Sequence, residues 1–210
     1  MVDNMVLAMF VDAGHAPLLV ALASGGLYIT PTILDPSECP PYAAQPVSEF
    51  AKGIYRAQPN PTDPIHAQRV QHRTAFIQAI HGSWQPVRLS QRQLTLAHYL
   101  QSRQARDDAR ARDPGVRVKR IDPGEAECAA VALMRGWELW TDDGGIISLL
   151  QVRYPQCQVV RTCAPLMRAV ARGLIPCADA AHLYNDIFTA QLGLRTQLSL
   201  YCHGEHATCR

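Results

Sequence analysis

The fold is decided by residues 122–143, which read DPGEAECAAVALMRGWELWTDD. This stretch predicts a helix over residues 123–135, followed by a strand over residues 138–141. Glu125 falls in the first turn of that helix, and Asp142 and Asp143 come directly after the strand. The stretch is therefore a helix-then-strand unit with carboxylates at both of its ends.

Strands and helices alternate on both sides of this unit. Such alternation is typical of a three-layer α/β fold on a central, mostly parallel sheet, whose ligands gather beyond the carboxyl ends of the strands. The other predicted strands are residues 116–121 and 158–161, and the other predicted helices are residues 145–152, 163–172 and 178–191.

The preceding part of the chain is less regular. Residues 27–30 predict a short strand, and many prolines interrupt the chain between Pro31 and Pro64. We predict helices over residues 48–57, 65–80 and 90–112. The expected organisation is one domain over residues 1–195, with an inserted or expanded segment at residues 36–115 and a tail at residues 196–210.

The composition indicates a folded protein. The chain has 210 residues, of which 48% are hydrophobic and 18% charged, so a disordered or low-complexity protein is excluded. The formal net charge of +2 does not indicate a polycation, so any nucleic-acid site must be local. Asp3, Asp12 and His15 interrupt the apolar N-terminal stretch, which argues against an export signal. We expect a cytoplasmic protein without a membrane span.

The seven cysteines are too sparse for a disulfide scaffold and predict reduced thiols. Four of them have apolar neighbours and are interpreted as small hydrophobic residues: Cys39, Cys128, Cys157 and Cys163. Residues 202–209 contain two cysteines and two histidines, but their spacing differs from the usual zinc-binding forms. We therefore interpret this segment as a loose tail.

Three carboxylates can meet at one edge of the predicted sheet. Taken singly, Glu125 complements a helix dipole and Asp142 caps a helix. Together with Asp143 they would repel one another, and a divalent cation is what makes such an arrangement tolerable. The sequence therefore predicts an oxygen-ligand metal site.

These residues also carry a resemblance to a known family. GEAEC (124–128), WTDD (140–143), VVRT (159–162) and RGLI (172–175) follow one another as in the C-terminal half of PIN-domain ribonucleases. The chain resembles that family over residues 116–195. The resemblance implies a PIN-like fold and hydrolysis of RNA with Mg²⁺ or Mn²⁺. It also implies a homodimer and, commonly, a toxin that pairs with an antitoxin protein.

The resemblance implies further site residues. Its Thr-any-Asp pattern selects Asp143, with Asp142 as a helper. The acid at the end of the first strand is Asp3 or Asp12. Asp3 is favoured because it lies 28 residues before Pro31, whereas Asp12 lies only 19 before it, and a helix with its loops needs most of the longer interval.

A further acid is expected after Pro31. Glu38 is the first choice, because Pro36 can open a short helix that turns Glu38 inward. Asp35 and Glu49 remain alternatives. The predicted catalytic residues are then Asp3, Glu38, Glu125 and Asp143.

RNA needs a cationic surface beside such a site. Residues 88–120 contain nine basic residues and three acids, and Arg103, Arg106 and Arg110 share one helical face. They are candidates for phosphate contacts, although pairing with Asp107 and Asp108 explains them equally well. Thr162 is a candidate for a ligand or phosphate contact, or for a helix cap.

Two other functions compete with the nuclease. A PIN-like module without activity would bind nucleic acid or a partner, and it differs from the enzyme in whether three or more carboxylates converge. A flavodoxin-like or receiver domain shares the alternating pattern but needs a phosphate loop or a lysine after a late strand, and neither is evident.

Overall fold

The computed structural model of the chain is a mixed helix and strand structure in which helices dominate. It describes residues 1–23, 26–35, 47–56, 64–80, 86–188, 198–204 and 206–209. The helices are α1 (Asn4–Asp12), α2 (Ala16–Leu22), α3 (Glu49–Arg56), α4 (Pro64–Ile80), α5 (Gln91–Gln101), α6 (Arg103–Arg112), α7 (Pro123–Arg135), α8 (Gly144–Arg153), α9 (Cys163–Ala171) and α10 (Cys177–His182), followed by a π-helix at Leu183–Phe188. The strands are β1 (Leu139–Trp140), β2 (Val159–Val160), β3 (Leu200–His203) and β4 (His206–Cys209).

A small parallel sheet organises the centre of the structure. β1 and β2 pair in parallel with Trp140 opposite Val160, and Val2 forms a parallel bridge to Trp140. Three chain segments therefore run side by side and end at the same edge, which we call the carboxyl edge. The strands predicted at residues 138–141 and 158–161 are confirmed, in shorter form.

Two other predicted strands are wrong. Residues 27–30 are extended but form no ladder: Tyr28 O accepts from Val2 N (3.0 Å) and Ile29 O accepts from Val87 N (3.0 Å). Residues 116–121 are irregular. Val118 and Ile121 are buried there, so the apolar pattern reflects side-chain burial rather than strand pairing.

The helix predictions hold best where a cap is encoded. The α7 helix has the predicted bounds, and Gly136 ends it in the left-handed conformation (φ 65°). The single helix predicted over residues 90–112 is instead two, because Ser102 is extended (ψ 159°) and its hydroxyl accepts from Ala105 N (3.1 Å), which starts α6. The helix predicted over residues 178–191 starts one residue earlier, and its second part is the π-helix.

The apolar core surrounds α1, of which nearly every residue is buried. α3 and α4 pack against α1, α5 packs along α7, and α6 packs on α8. The rings of Phe10 and Phe188 meet edge to face at 5.2 Å between centroids. Helices of the segment at residues 36–115 thus cover the same core as the helices that follow it.

The C-terminal tail is a β-hairpin rather than a loose segment. β3 and β4 pair antiparallel, and disulfides join Cys163 to Cys209 and Cys177 to Cys202. The expectation of reduced thiols is therefore wrong for these four residues. The sequence could not reveal the pairing, because the partners lie 46 and 25 residues apart and meet only in the folded chain. Disulfide bonding also removes Cys202 and Cys209 as zinc ligands.

In the part of the chain that the structure describes, there is no helix whose length and hydropathy would allow it to cross a membrane.

Candidate acidic site

The site is built on Asp3, which directly follows the bridge at Val2. Asp3 is fully buried and caps α1, because its Oδ1 accepts from Val6 N (2.8 Å). Its Oδ2 accepts a short hydrogen bond from the Thr141 hydroxyl. The same hydroxyl oxygen accepts from Asp143 N (3.1 Å). Thr141 thus links the acid of the first segment to the acid after β1.

Asp143 caps α8 and faces the same edge. Its Oδ1 accepts from Gly145 N (2.7 Å) and Ile146 N (2.9 Å). A Cβ at position 145 would lie 2.9 Å from that oxygen, so the close approach requires glycine. The second carboxylate oxygen of Asp143, Oδ2, has no hydrogen bond within the described residues.

Glu125 reaches this edge from the first turn of α7. Its Oε2 accepts from Asp122 N (3.2 Å). Burial, together with the negative charges of Asp143 and Asp3, raises the pKa of Glu125 to about 8, against the hydrogen bond from Asp122. Glu125 is therefore close enough to both acids for their charges to act on it.

Asp3 responds to the same neighbours. Burial raises the pKa of Asp3 to about 7 although Thr141 and Val6 donate hydrogen bonds to it, and the charges of Asp142 and Asp143 add to the shift. The cluster of Asp3, Glu125 and Asp143, which we call the acidic site, thus carries mutually repelling charges. A bound cation would relieve that repulsion.

Both carboxylate oxygens of Asp142 are bound by residues that follow β2. Its Oδ1 accepts from Arg161 Nε (3.2 Å), and its Oδ2 accepts from Thr162 N (3.1 Å). Both oxygens are thereby engaged, and the geometry does not support the predicted role of Asp142 as a helper in metal binding. The Thr162 hydroxyl is buried and forms no cap, so the predicted capping role is wrong, whereas its contact with a ligand or phosphate stays a prediction.

Glu49, an alternative acid, contacts the start of α7 next to Glu125. It opens α3, and its Oε1 accepts from Gly124 N (3.1 Å), one residue before Glu125. Burial raises the pKa of Glu49, and the charges of Asp122 and Glu127 add to this. A Cβ at position 124 would lie 2.8 Å from a Glu49 oxygen, so glycine permits this packing.

The remaining predicted acids lie elsewhere or cannot be placed. Residues 5–11 are helical, so Asp12 ends α1 rather than a strand and forms an ion pair with Arg73 (2.6 Å). Asp35 is half-buried after a turn at residues 31–33. The prediction for Glu38 lies outside the described residues.

The donor set fits a hard divalent cation in its chemistry, since Mg²⁺ and Mn²⁺ prefer carboxylate oxygens. Asp143 Oδ2 and Glu125 Oε1 have no protein partner within the described residues, which leaves them available as ligands. The ligands are not preassembled: among the described His, Cys, Asp and Glu side chains, no group of three is arranged to hold a metal ion.

The predicted RNA-binding arginines of α6 are engaged by nearby residues of α5 and α6. Arg103 (3.5 Å) and Arg110 (3.2 Å) both pair with Asp107, and Arg106 donates to Gln101 O (3.0 Å). Sequence reasoning missed Arg161, which stands at the carboxyl edge beside Asp142. Its signal was a basic residue at the carboxyl end of a predicted strand.

Comparison with known proteins leaves the family open. A scan against protein-family models, a search of curated proteins and a search of solved structures each find no match to this chain.

Proposed function

We propose that the chain is a metal-dependent endoribonuclease with a PIN-like, three-layer α/β fold. One observation carries the proposal: Asp3, Glu125 and Asp143 lie close enough at the carboxyl edge for their charges to act on one another, and burial together with these charges raises the pKa of Asp3 and Glu125. Ligands of parallel α/β folds gather at this edge. The sequence motifs described above support the same function.

The residues divide into ligands and supports. Asp3, Glu125 and Asp143 would hold Mg²⁺ or Mn²⁺ with carboxylate oxygens, and Glu49 would stand behind Glu125 as a fourth acid. The Thr141 hydroxyl fixes the positions of both acids, because it donates to the Asp3 carboxylate and accepts from Asp143 N. The bound cation would supply a water of lowered pKa and stabilise negative charge on the scissile phosphate.

The biological setting follows from the resemblance alone. We propose RNA as the substrate, a homodimer and a toxin role with an antitoxin protein as its partner. Hydrolysis of an RNA phosphodiester by a bound water needs no cofactor other than the cation, so the acidic site would need no further bound group for this reaction.

A second candidate function is a PIN-like module that binds nucleic acid or a partner without cleaving it. It is favoured by the protein hydrogen bonds that already occupy both oxygens of Asp3 and one oxygen of Asp143. A cation would have to compete with the hydrogen bonds of Val6 and Thr141 for Asp3. The two functions differ in whether metal activates cleavage.

The test is cleavage of a labelled single-stranded RNA with Mg²⁺ or Mn²⁺, with EDTA as a control. We expect Glu125→Gln and Asp143→Asn each to reduce cleavage on the order of 100-fold or more. Each substitution removes a charged ligand of the cation, and that cation would stabilise the negative charge that develops on the phosphate. The matched control is Glu138→Gln, at the opposite end of β1, which should leave cleavage nearly unchanged. Metal-independent cleavage, or cleavage unaffected by both variants, would contradict the proposal.

A further inference from the structure

Arg161 stands next to the acidic site across the parallel ladder. Trp140 lies opposite Val160, and Thr141 N donates to Val160 O (3.1 Å). Arg161 is therefore the neighbour of Thr141 on the adjacent strand, and strands in a sheet lie about 4.8 Å apart. Because Thr141 bonds Asp3, Arg161 shares the carboxyl edge with the site acids.

The Arg161 guanidinium is held by one of its nitrogens only. Its Nε donates to Asp142 Oδ1, and the Asp142 side chain is 1% exposed whereas that of Arg161 is 42% exposed. Thr162 N fixes the second oxygen of Asp142. The two terminal nitrogens of Arg161 make no hydrogen bond within the described part of the chain. A half-exposed guanidinium in this state can bind a phosphate with two parallel hydrogen bonds.

A second cation, Lys119, lies near the helix start that Asp143 caps. Lys119 is exposed, and its Cβ lies 3.4 Å from the position that a Cβ on Gly145 would take. That same position lies 2.9 Å from Asp143 Oδ1. The start of α8, which Asp143 caps, is thus packed against Lys119.

Several other arginines of the described surface are engaged by residues outside the acidic site. Arg168 donates from two nitrogens to Glu138 (both 2.8 Å), and the α6 arginines bond Asp107 or a backbone carbonyl. Arg161 combines proximity to the acidic site with free terminal nitrogens. This combination is what a phosphate-binding residue requires.

We propose that Arg161 and Lys119 bind backbone phosphates of a single-stranded RNA beside the acidic site, and that Asp142 is the positioning residue that orients Arg161. This inference rests on the proposed function and names how its substrate is held. Phosphate contacts place the chain without selecting bases. The two cations should therefore increase affinity for every sequence to a similar extent.

The test is binding of a labelled single-stranded RNA by fluorescence anisotropy in EDTA, over a range of salt concentrations. Arg161→Gln and Lys119→Gln should each weaken binding about fivefold at low salt and reduce the slope of log K against log salt by about 0.7, the value for one phosphate contact on a single strand. Arg168→Gln, at the opposite end of the sheet, is the control and should change neither quantity.

A double variant separates phosphate binding from a structural role. Arg161→Gln leaves the buried Asp142 carboxylate without its ion-pair partner, which itself destabilises the fold. Asp142→Asn combined with Arg161→Gln removes both charges. If Arg161 serves only to neutralise Asp142, the double variant binds RNA as the wild type does, and the inference is overturned. If Arg161 binds phosphate, the double variant keeps the weakened binding and the reduced salt slope.

Binding in EDTA also separates this inference from the proposed function. Reduced binding by the Arg161 and Lys119 variants, with no metal-dependent cleavage by the wild type, would support the RNA-binding residues and contradict the nuclease. Cleavage that depends on Glu125, with RNA binding unchanged in the Arg161 and Lys119 variants, would support the nuclease and contradict the assignment of Arg161 and Lys119 as RNA-binding residues. Failure of the wild type to bind RNA in EDTA would overturn the inference.

Discussion

The two ends of the small parallel sheet hold glutamates in opposite electrostatic states. At the amino end, Glu138 accepts hydrogen bonds from Arg168 (both 2.8 Å) and from Trp140 Nε1 (2.9 Å), and Arg168 lowers the pKa of Glu138. At the carboxyl end, burial and the charge of Asp143 raise the pKa of Glu125 to about 8. The neighbours of Glu138 stabilise its anionic form, whereas the surroundings of Glu125 destabilise its anionic form.

This difference indicates where the chemistry lies. A compensated ion pair such as Glu138–Arg168 is complete without a ligand, because the charges of its two members satisfy each other. The acidic site costs folding free energy as long as its charges remain unneutralised. Proteins tolerate such a cost mainly at functional sites, where a ligand offsets it.

The largest expected effect on stability concerns α9, which runs between the two ends of the parallel sheet. The helix begins at Cys163, two residues after Arg161, and carries Arg168 to the amino end. Combined Cys163→Ser and Cys209→Ser should lower the free energy of unfolding by about 2–5 kcal/mol, because the lost disulfide closes a long loop. Urea unfolding measures this, with Cys157→Ser as the control for an unpaired thiol. Equal stability of the double variant and the control would contradict the pairing.

The same substitution at the two ends should change stability in opposite directions. Glu125→Gln removes an unfavourable charge and should raise Tm at pH 8 by about 2–4 °C, which corresponds to about 1 kcal/mol for a chain of this size. Glu138→Gln removes a favourable ion pair and should lower Tm at pH 8. The free energy of unfolding should fall by no more than about 1 kcal/mol, because Arg168 is half-exposed. Thermal unfolding of both variants in EDTA measures these changes, and changes of the same sign would break the comparison.

The pH dependence of that difference follows from linkage. The pKa of Glu125 is raised in the folded state, so the folded state binds more protons, and its stability falls as pH rises from about 4.5 to about 8. The pKa of Glu138 is lowered, so its contribution is present above the unfolded value of 4.5 and is lost as pH falls below it. The benefit of Glu125→Gln should therefore disappear near pH 4.5.

The smallest expected effect is stabilisation by metal. A cation that binds the acidic site and is present at about twice its Kd should stabilise the folded wild type by about 0.6 kcal/mol. We expect Mn²⁺ or Mg²⁺ to raise Tm more at pH 8 than at pH 5, because Asp3 and Glu125, whose pKa values are raised to about 7 and about 8, are ionised to a larger extent at the higher pH. Asp143→Asn should abolish the rise, whereas Glu138→Gln should retain it. A rise of equal size in both variants would place the cation elsewhere.

Local signals made part of the fold predictable. The bounds of α7 agree with the prediction because Pro123 and the apolar spacing that follows act within one element. The strands at residues 27–30 and 116–121 were predicted from apolar pattern alone, and that pattern cannot distinguish a paired strand from a buried irregular segment. Ser102 divides one predicted helix into two, because its cap competes with helix continuation.

The candidate site was predictable in its acids but not in their partners. Asp3, Glu125 and Asp143 were selected from motif and spacing, and the structure brings their charges together. The commitment of Asp142 to Arg161 depends on the register of β1 against β2, which no local pattern encodes. The position of Glu49 against Gly124 likewise depends on contact between α3 and α7.

The sequence by itself determined which residues carry charge at the ends of elements and where α7 begins and ends, because caps and hydrophobic spacing act over a few residues. Tertiary structure alone decided which of those charges are neutralised. Glu138 meets Arg168 and Glu125 meets Asp143 only after strands and helices pack. Electrostatic free energy depends on distance and burial in the folded chain, and neither is a property of the sequence order.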